Sequence, residues 1–278
     1  MTLRTKYLFV TCCLEESRAE VVRDVIDNLV ENKELLGDNL TVFDNGSTVD
    51  WVVPELQKHF ECVCVSDQNV GYWSAIHWWL NNVKQSDFTY IIESDMIHYA
   101  LEKIRTAEQF LAQNPDVGAV RLHQYEVANK HLYDKNRPRP DSKRNIWQSH
   151  VNRVNNKKVF HTLALKDGDV EIYTNNFLTQ LPALNRTKMM IDAFNELATR
   201  KSFSEFDFQK LCWERYQRNA IIDGGIFHCD GGSYGRKVVT GSWTDPQELQ
   251  RIGYRNTRVS EIVDPTSYVV TCTRPCGD

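Results

Sequence analysis

The triplet Glu93-Ser94-Asp95 places two carboxylates two positions apart at the end of the apolar run FTYIIE. Once the chain leaves the regular pleat of a strand, both can reach one hard cation. Mg2+ or Mn2+ suits such a site, because these ions take oxygen ligands and bridge to phosphates. Surface turns are full of short acidic triplets; burial of the preceding strand is what would pin this one at a sheet edge. A further carboxylate stands in Asp44-Asn45-Gly46-Ser47-Thr48. Asp44 can accept a hydrogen bond from a nucleoside while Gly46 lets the backbone turn tightly; a plain Asx turn is the simpler reading. Asn69-Val70-Gly71, ahead of a helical pattern, can present polar groups to a ribose or diphosphate at a helix N-terminus, or merely turn the chain. In Ser204-Glu205-Phe206-Asp207 the serine can cap a helix with Asp207 closing a capping box. Glu205 would then project from the first turn, beside the partial positive charge there, as a candidate general base, with Asp207 in reserve. His228 is a candidate metal ligand through one imidazole nitrogen. Arg236 and Lys237, just beyond the turn GGSYG, are candidate electrostatic clamps on a diphosphate.

These residues need a scaffold, and the first half of the chain supplies a pattern for one. Strands are expected at 7–12, 40–44, 61–65, 88–93 and 117–122. Between them lie helical segments: one opening at Ser17 with Glu20 three residues on and Gly37 past its end, one over 72–83, and one over 101–113. Trp73, Trp78 and Trp79 on the second of these read as core. Strand–helix alternation implies an α/β fold, a mostly parallel sheet flanked by helices, with ligands bound beyond the C-terminal ends of the strands. The second half is less regular. A strand is expected at 170–174, helices over 187–200 and 206–217, and a strand at 220–229, while the tail after Gly241 carries no clear signal.

The chain has 278 residues, 41% hydrophobic and 25% charged, enough for one large domain. Within it, 1–122 is expected to form a nucleotide-binding half, 123–240 an acceptor-side half and 241–278 a tail. No apolar run reaches the roughly 20 residues of a membrane span. The start MTLRTKYLFVTCC reads as a buried strand rather than a signal peptide, so a cytoplasmic location is expected. Eight cysteines show no paired C-x-x-C motif, which argues against structural zinc, and a disulfide framework is the weaker reading without a secretory signal. The net charge of −4 is uneven: residues 130–158 carry nine Lys/Arg against two Asp. That segment is either a solvated excursion or a loop that meets an anionic partner.

Together these segments resemble the GT-A fold nucleotide-sugar glycosyltransferases, especially the inverting family with a single Rossmann-like domain, over residues 6–235. DNGST at 44–48 is similar to the Asp-bearing turn that contacts the nucleoside, and NVG at 69–71 to the segment opening the next helix. ESD at 93–95 sits where the family carries its Asp-x-Asp metal motif, with Glu replacing the first Asp. SEFDF at 204–208 resembles the start of the helix that bears the catalytic base, with Glu205 at the base, and IFHCDGGS puts His228 at the metal-binding His. The resemblance implies a divalent cation and a nucleotide-sugar donor, UDP-sugar favoured. The basic segment 130–158 suggests an anionic acceptor, such as DNA with hydroxylated bases in a phage-type enzyme, beside a saccharide acceptor. Two rivals are a sugar-phosphate nucleotidyltransferase, against which the acidic CCLEESR after the first strand counts, and a non-catalytic nucleotide- or glycan-binding module.

Overall fold

The computed structural model describes residues 5–14, 16–83, 85–98, 101–127, 162–167, 170–174, 183–216, 218–229 and 260–275. The opening strand β1 (Thr5–Thr11) leads through helix α1 (Glu16–Glu31) and the short α2 (Lys33–Leu36) to β2 (Leu40–Asp44). Helix α3 (Val52–His59) leads to β3 (Val63–Ser66), and α4 (Tyr72–Asn82) to β4 (Phe88–Glu93). The sheet order β3-β2-β1-β4 is parallel throughout, as right-handed strand–helix–strand units produce. β5 (Met96–His98), α5 (Lys103–Gln113) and β6 (Val117–Val127) follow. The second half adds β7 (Thr162–Asp167), β8 (Val170–Thr174), β9 (Ala183–Arg186), α6 (Thr187–Ala198), α7 (Glu205–Arg215), β10 (Arg218–Cys229) and β11 (Val270–Cys272). One sheet results, in the order β11-β3-β2-β1-β4-β9-β6-β10-β8-β7, with β5 paired to β10. β9 enters antiparallel between β4 and β6, and β10 runs parallel to β6.

Period-two alternation assigns each strand side chain to a face. Tyr7 and Phe9 of β1, Val42 of β2, and Tyr90 and Ile92 of β4 point into one buried cluster. There they meet Val22, Val25, Ile26 and Leu29 of α1, Leu56 of α3, and Ile104, Ala107 and Leu111 of α5. Leu8, Phe43 and Ile91 point the other way, onto Ala75, Ile76 and Trp79 of α4, Met190, Phe194 and Leu197 of α6, and Phe208 of α7. Both faces are therefore covered by helices, which is why the strands read as continuous apolar runs. Trp79 is fully buried, and Trp73 packs edge-on against Phe203 and Phe208 at 5.6 and 5.1 Å between ring centres, so the tryptophans belong to the core. No helix among the described residues is long and apolar enough to cross a membrane.

Several sequence expectations are corrected. Helix α1 already contains Glu16, so Ser17 lies inside it rather than at its cap. The third strand begins at Val63, two residues later than expected. The tail is not featureless: Val270–Cys272 pairs antiparallel with β3, Cys272 opposite Cys64. Those two cysteines form a disulfide, and Cys62 is disulfide-bonded as well, against the expectation of reduced thiols. The reason is topological: partners 208 residues apart in sequence become neighbours only through strand pairing.

Candidate active site

The C-terminal ends of β1, β2 and β4 lie in one row, because Thr11 pairs with Asp44 and Val10 with Glu93. The loops leaving this row are stitched together by side chains. Asp44, fully buried, accepts from the Ser47 amide at 3.0 Å through Oδ2 and from the Ser47 hydroxyl through Oδ1. This is the Asx turn that the sequence offered as its simpler reading. Burial pushes the Asp44 carboxyl above the usual carboxylate range, against the lowering effect of the Ser47 hydrogen bonds. Asn45 accepts from the Val70 amide at 2.9 Å and donates to Asn69 Oδ1 at 3.1 Å. Asn69 Oδ1 also accepts from the Gly71 amide at 2.9 Å, ahead of α4. Gly46, at φ 70°, lies so near this loop that a Cβ there would meet the Asn69 nitrogen at 2.5 Å. Asp44, Asn69 and Gly71 thus belong to one loop assembly.

The acid motif follows on β4. Glu93 Oε1 accepts from the Tyr72 hydroxyl at 2.8 Å, so the first turn of α4 reaches the motif directly. Ser94 accepts from Arg18 of α1 at 2.8 Å, and the same guanidinium lies 4.0 Å from Asp95 Oδ2. β5 then pairs antiparallel with β10 in a register that sets His228 opposite Met96, one residue beyond Asp95. Strand pairing therefore brings the backbone of His228 beside the acid motif. Arg236, Lys237 and the basic segment 130–158 lie outside the described residues.

Glu205 is the first residue of α7. Ser204 caps the helix: its hydroxyl accepts from the Asp207 amide at 3.3 Å, and Asp207 Oδ2 accepts from the Ser204 amide at 2.7 Å. These bonds to Ser204, helped by Arg200, hold the Asp207 carboxyl below its ordinary range. Asp207 is thus engaged in holding the helix start, whereas Glu205 is exposed and accepts from Gln209 at 2.9 Å. Arg121, buried on β6, lies in the field of both Glu205 and Glu93; burial foremost lowers its pKa to about 10, against the pull of the two acids. The Tyr72 hydroxyl is raised well above its ordinary value by burial first, then by Glu93, with Asp95 and Glu205 adding to it. Glu93, Asp95 and Glu205 are thus all within electrostatic reach of the Tyr72 hydroxyl.

Sequence reasoning passed over Arg18, Tyr72 and Arg121. Two of them carried a readable signal: Arg121 is a lone charge inside the apolar strand VGAVRL, and Tyr72 directly follows Asn69-Val70-Gly71. Among the described residues, no group of three or more His, Cys, Asp or Glu side chains forms a metal cage. A hard divalent cation does not require one, since it is commonly held by one or two carboxylates with waters and substrate phosphates. Asp95, two residues past the end of β4, could supply one such carboxylate, and the backbone of His228 pairs opposite the next residue, Met96.

No family model and no curated relative matches the chain. Among solved structures, residues 1–349 of TarS from S. aureus are similar at 13% identity, with a TM-score of 0.51, over 84% of this chain and 62% of that one. The chain thus spans about three fifths of that structure. A second TarS structure matches at 14% identity and TM-score 0.49, over 81% of this chain and 36% of that one. Glucosyl-3-phosphoglycerate synthase from Mycobacterium tuberculosis, solved with Mg2+ and UDP, matches at 15% identity and TM-score 0.44, covering 80% and 68%. At this identity the TarS likeness is one of fold, and the architecture is the GT-A fold.

Proposed function

We propose that this chain is a glycosyltransferase that moves a sugar from a nucleoside diphosphate, with UDP-sugar as the favoured donor, to a hydroxyl acceptor with inversion. The observation that carries this reading is the acid motif at the C-terminal ends of the parallel strands, where Glu93 accepts from Tyr72 and Arg18 lies 4.0 Å from Asp95. That cluster lies on the sheet edge that also carries the Asp44 and Asn69–Gly71 loops.

The loop assembly at Asp44, Asn69 and Gly71 cradles the nucleoside and ribose, with Asp44 acting through the turn that it fixes. Asp95, with His228, would hold a Mn2+ or Mg2+ ion, which when bound would supply positive charge to offset that of the departing diphosphate. Glu205 accepts the proton of the acceptor hydroxyl as its oxygen attacks the anomeric carbon. The bond from that carbon to the diphosphate oxygen breaks, and the nucleoside diphosphate leaves from the opposite face. Arg236 and Lys237 close on the diphosphate. The acceptor is proposed only as a hydroxyl compound. A DNA acceptor rests on the charge of residues 130–158 alone.

The test is nucleotide release from UDP-, GDP- and dTDP-sugars, with and without Mn2+, by wild type, Asp95→Ala and Glu205→Gln. Slow metal-dependent release of one nucleoside diphosphate, lost in both variants, is expected. Release that is unaffected by Asp95→Ala would remove the metal assignment. Absence of both cleavage and metal-dependent nucleotide binding would leave the binding-module reading ahead.

A further inference from the structure

The carboxylate offered to a divalent cation already faces a cation of the protein's own. Arg18 stands in the first turn of α1, and its Nη2 donates to Ser94 Oγ at 2.8 Å while lying 4.0 Å from Asp95 Oδ2. Ser94 is buried, and the Arg18 and Asp95 side chains are only 24% and 17% exposed. The pair is therefore screened less than a surface ion pair. Its anchor is specific: the hydrogen bond to Ser94 fixes the guanidinium on the residue between the two acids of the motif.

Resting on the assignment of the metal to Asp95, we infer that Arg18 is a resident counter-cation that competes with the divalent ion for this carboxylate. A metal arriving alone meets a fixed positive charge beside its ligand. A metal arriving with a nucleoside diphosphate brings compensating negative charge, and Arg18 then has phosphate oxygens to face. Metal and nucleotide therefore bind more tightly together than either does alone, and Arg18 is the origin of part of that coupling. By linkage, the nucleotide tightens the metal by the same factor as the metal tightens the nucleotide.

The experiment measures Mn2+ binding by electron paramagnetic resonance, with and without UDP, in wild type, Arg18→Gln, Arg18→Met and Arg18→Lys. Without UDP, the two uncharged variants are expected to bind Mn2+ roughly fivefold more tightly than wild type, the size of a modest ion pair. Arg18→Lys, which keeps the charge, stays near wild type. The gain produced by UDP shrinks in Arg18→Gln. A damaged fold loses metal rather than gaining it, so tighter binding is not explained by a structural role. If neither uncharged variant binds more tightly, including the case in which no protein binds Mn2+, the inference is overturned. Asp95→Ala separates the two levels. Mn2+ binding that survives this change refutes the metal assignment itself, whereas binding that is lost with Asp95 but indifferent to Arg18 refutes only the role of Arg18.

Discussion

Glu205 and Asp207 are both acids at the start of α7, and their surroundings divide their roles. Asp207 has its carboxylate bonded to Ser204, whereas Glu205 is exposed in the field of Arg121. Glu205→Gln should therefore lower turnover about 10²- to 10⁴-fold, the usual worth of a general base, with little change in the melting midpoint. Asp207→Ala should do the reverse, costing about 1 kcal/mol of stability as a lost cap does while leaving most of the turnover. Parallel rate and melting measurements decide, and a rate loss confined to Asp207→Ala would exchange the assignments. Asp44 calls for a different test. Its carboxyl is raised by burial, so the folded chain binds that proton more tightly than the unfolded chain. The stability it contributes is full below the ordinary carboxylate pKa and is lost as pH rises through the raised folded value. Urea unfolding of wild type and Asp44→Asn should show the balance moving toward the variant as the medium goes from acid to neutral. A pH-independent difference would mean that the proton is not held in this way.

The elements that could be read directly from the sequence are those whose fate is local. β2, β4 and β8 have the expected limits because each is a short apolar or β-branched run cut off by turn residues. The capping box at Ser204 was legible because it spans three residues. β9 and β11 were not, since four and three residues carry no period of their own and become strands only through antiparallel pairing with distant partners. The same limit hid Arg18, whose partners in the acid motif are fixed by packing rather than by spacing. In the loops that follow β2 and β3, two glycines with positive φ separate strain from contact. Gly71, at φ 85°, has open space where an added methyl would sit, whereas at Gly46 the methyl would strike the backbone of Gln68 and Asn69. Gly71→Ala should cost about 1–3 kcal/mol, the effect of strain alone. Gly46→Ala should cost more, and hydrogen exchange at the Val70 amide should speed up as its bond to Asn45 breaks. Equal losses in denaturant midpoint would mean that the loop moves aside without penalty.

Across the whole molecule, residues 260–275 act as a strap along the β3 edge of the sheet. Ser260 bridges to Phe203, next to the α7 cap, and the Val263 amide donates to Ser74 of α4 at 3.0 Å. The Thr273 hydroxyl accepts from the Val63 amide at 3.0 Å, and Cys272 is bonded to Cys64. In the chain-entropy view, closing a loop of this length contributes at most about 5 kcal/mol. Reductant should therefore lower the thermal midpoint of wild type, and it should have a smaller effect on a Cys64→Ser, Cys272→Ser double variant. An insensitive wild type would show that strand pairing alone secures the strap. Disulfides persist in oxidising surroundings, so the Cys64–Cys272 bond would close this strap only there.

The strap also imposes an order in time. β3 leaves the ribosome 208 residues before the cysteine that seals its outer edge. At about 5–20 residues per second, that interval is roughly ten to forty seconds. Throughout it, the nascent sheet presents the open amides and carbonyls of β3, together with a Cys64 thiol still awaiting Cys272, to neighbouring nascent chains. Mispairing of that edge is thus a hazard of synthesis, which ends once β11 is seated on β3.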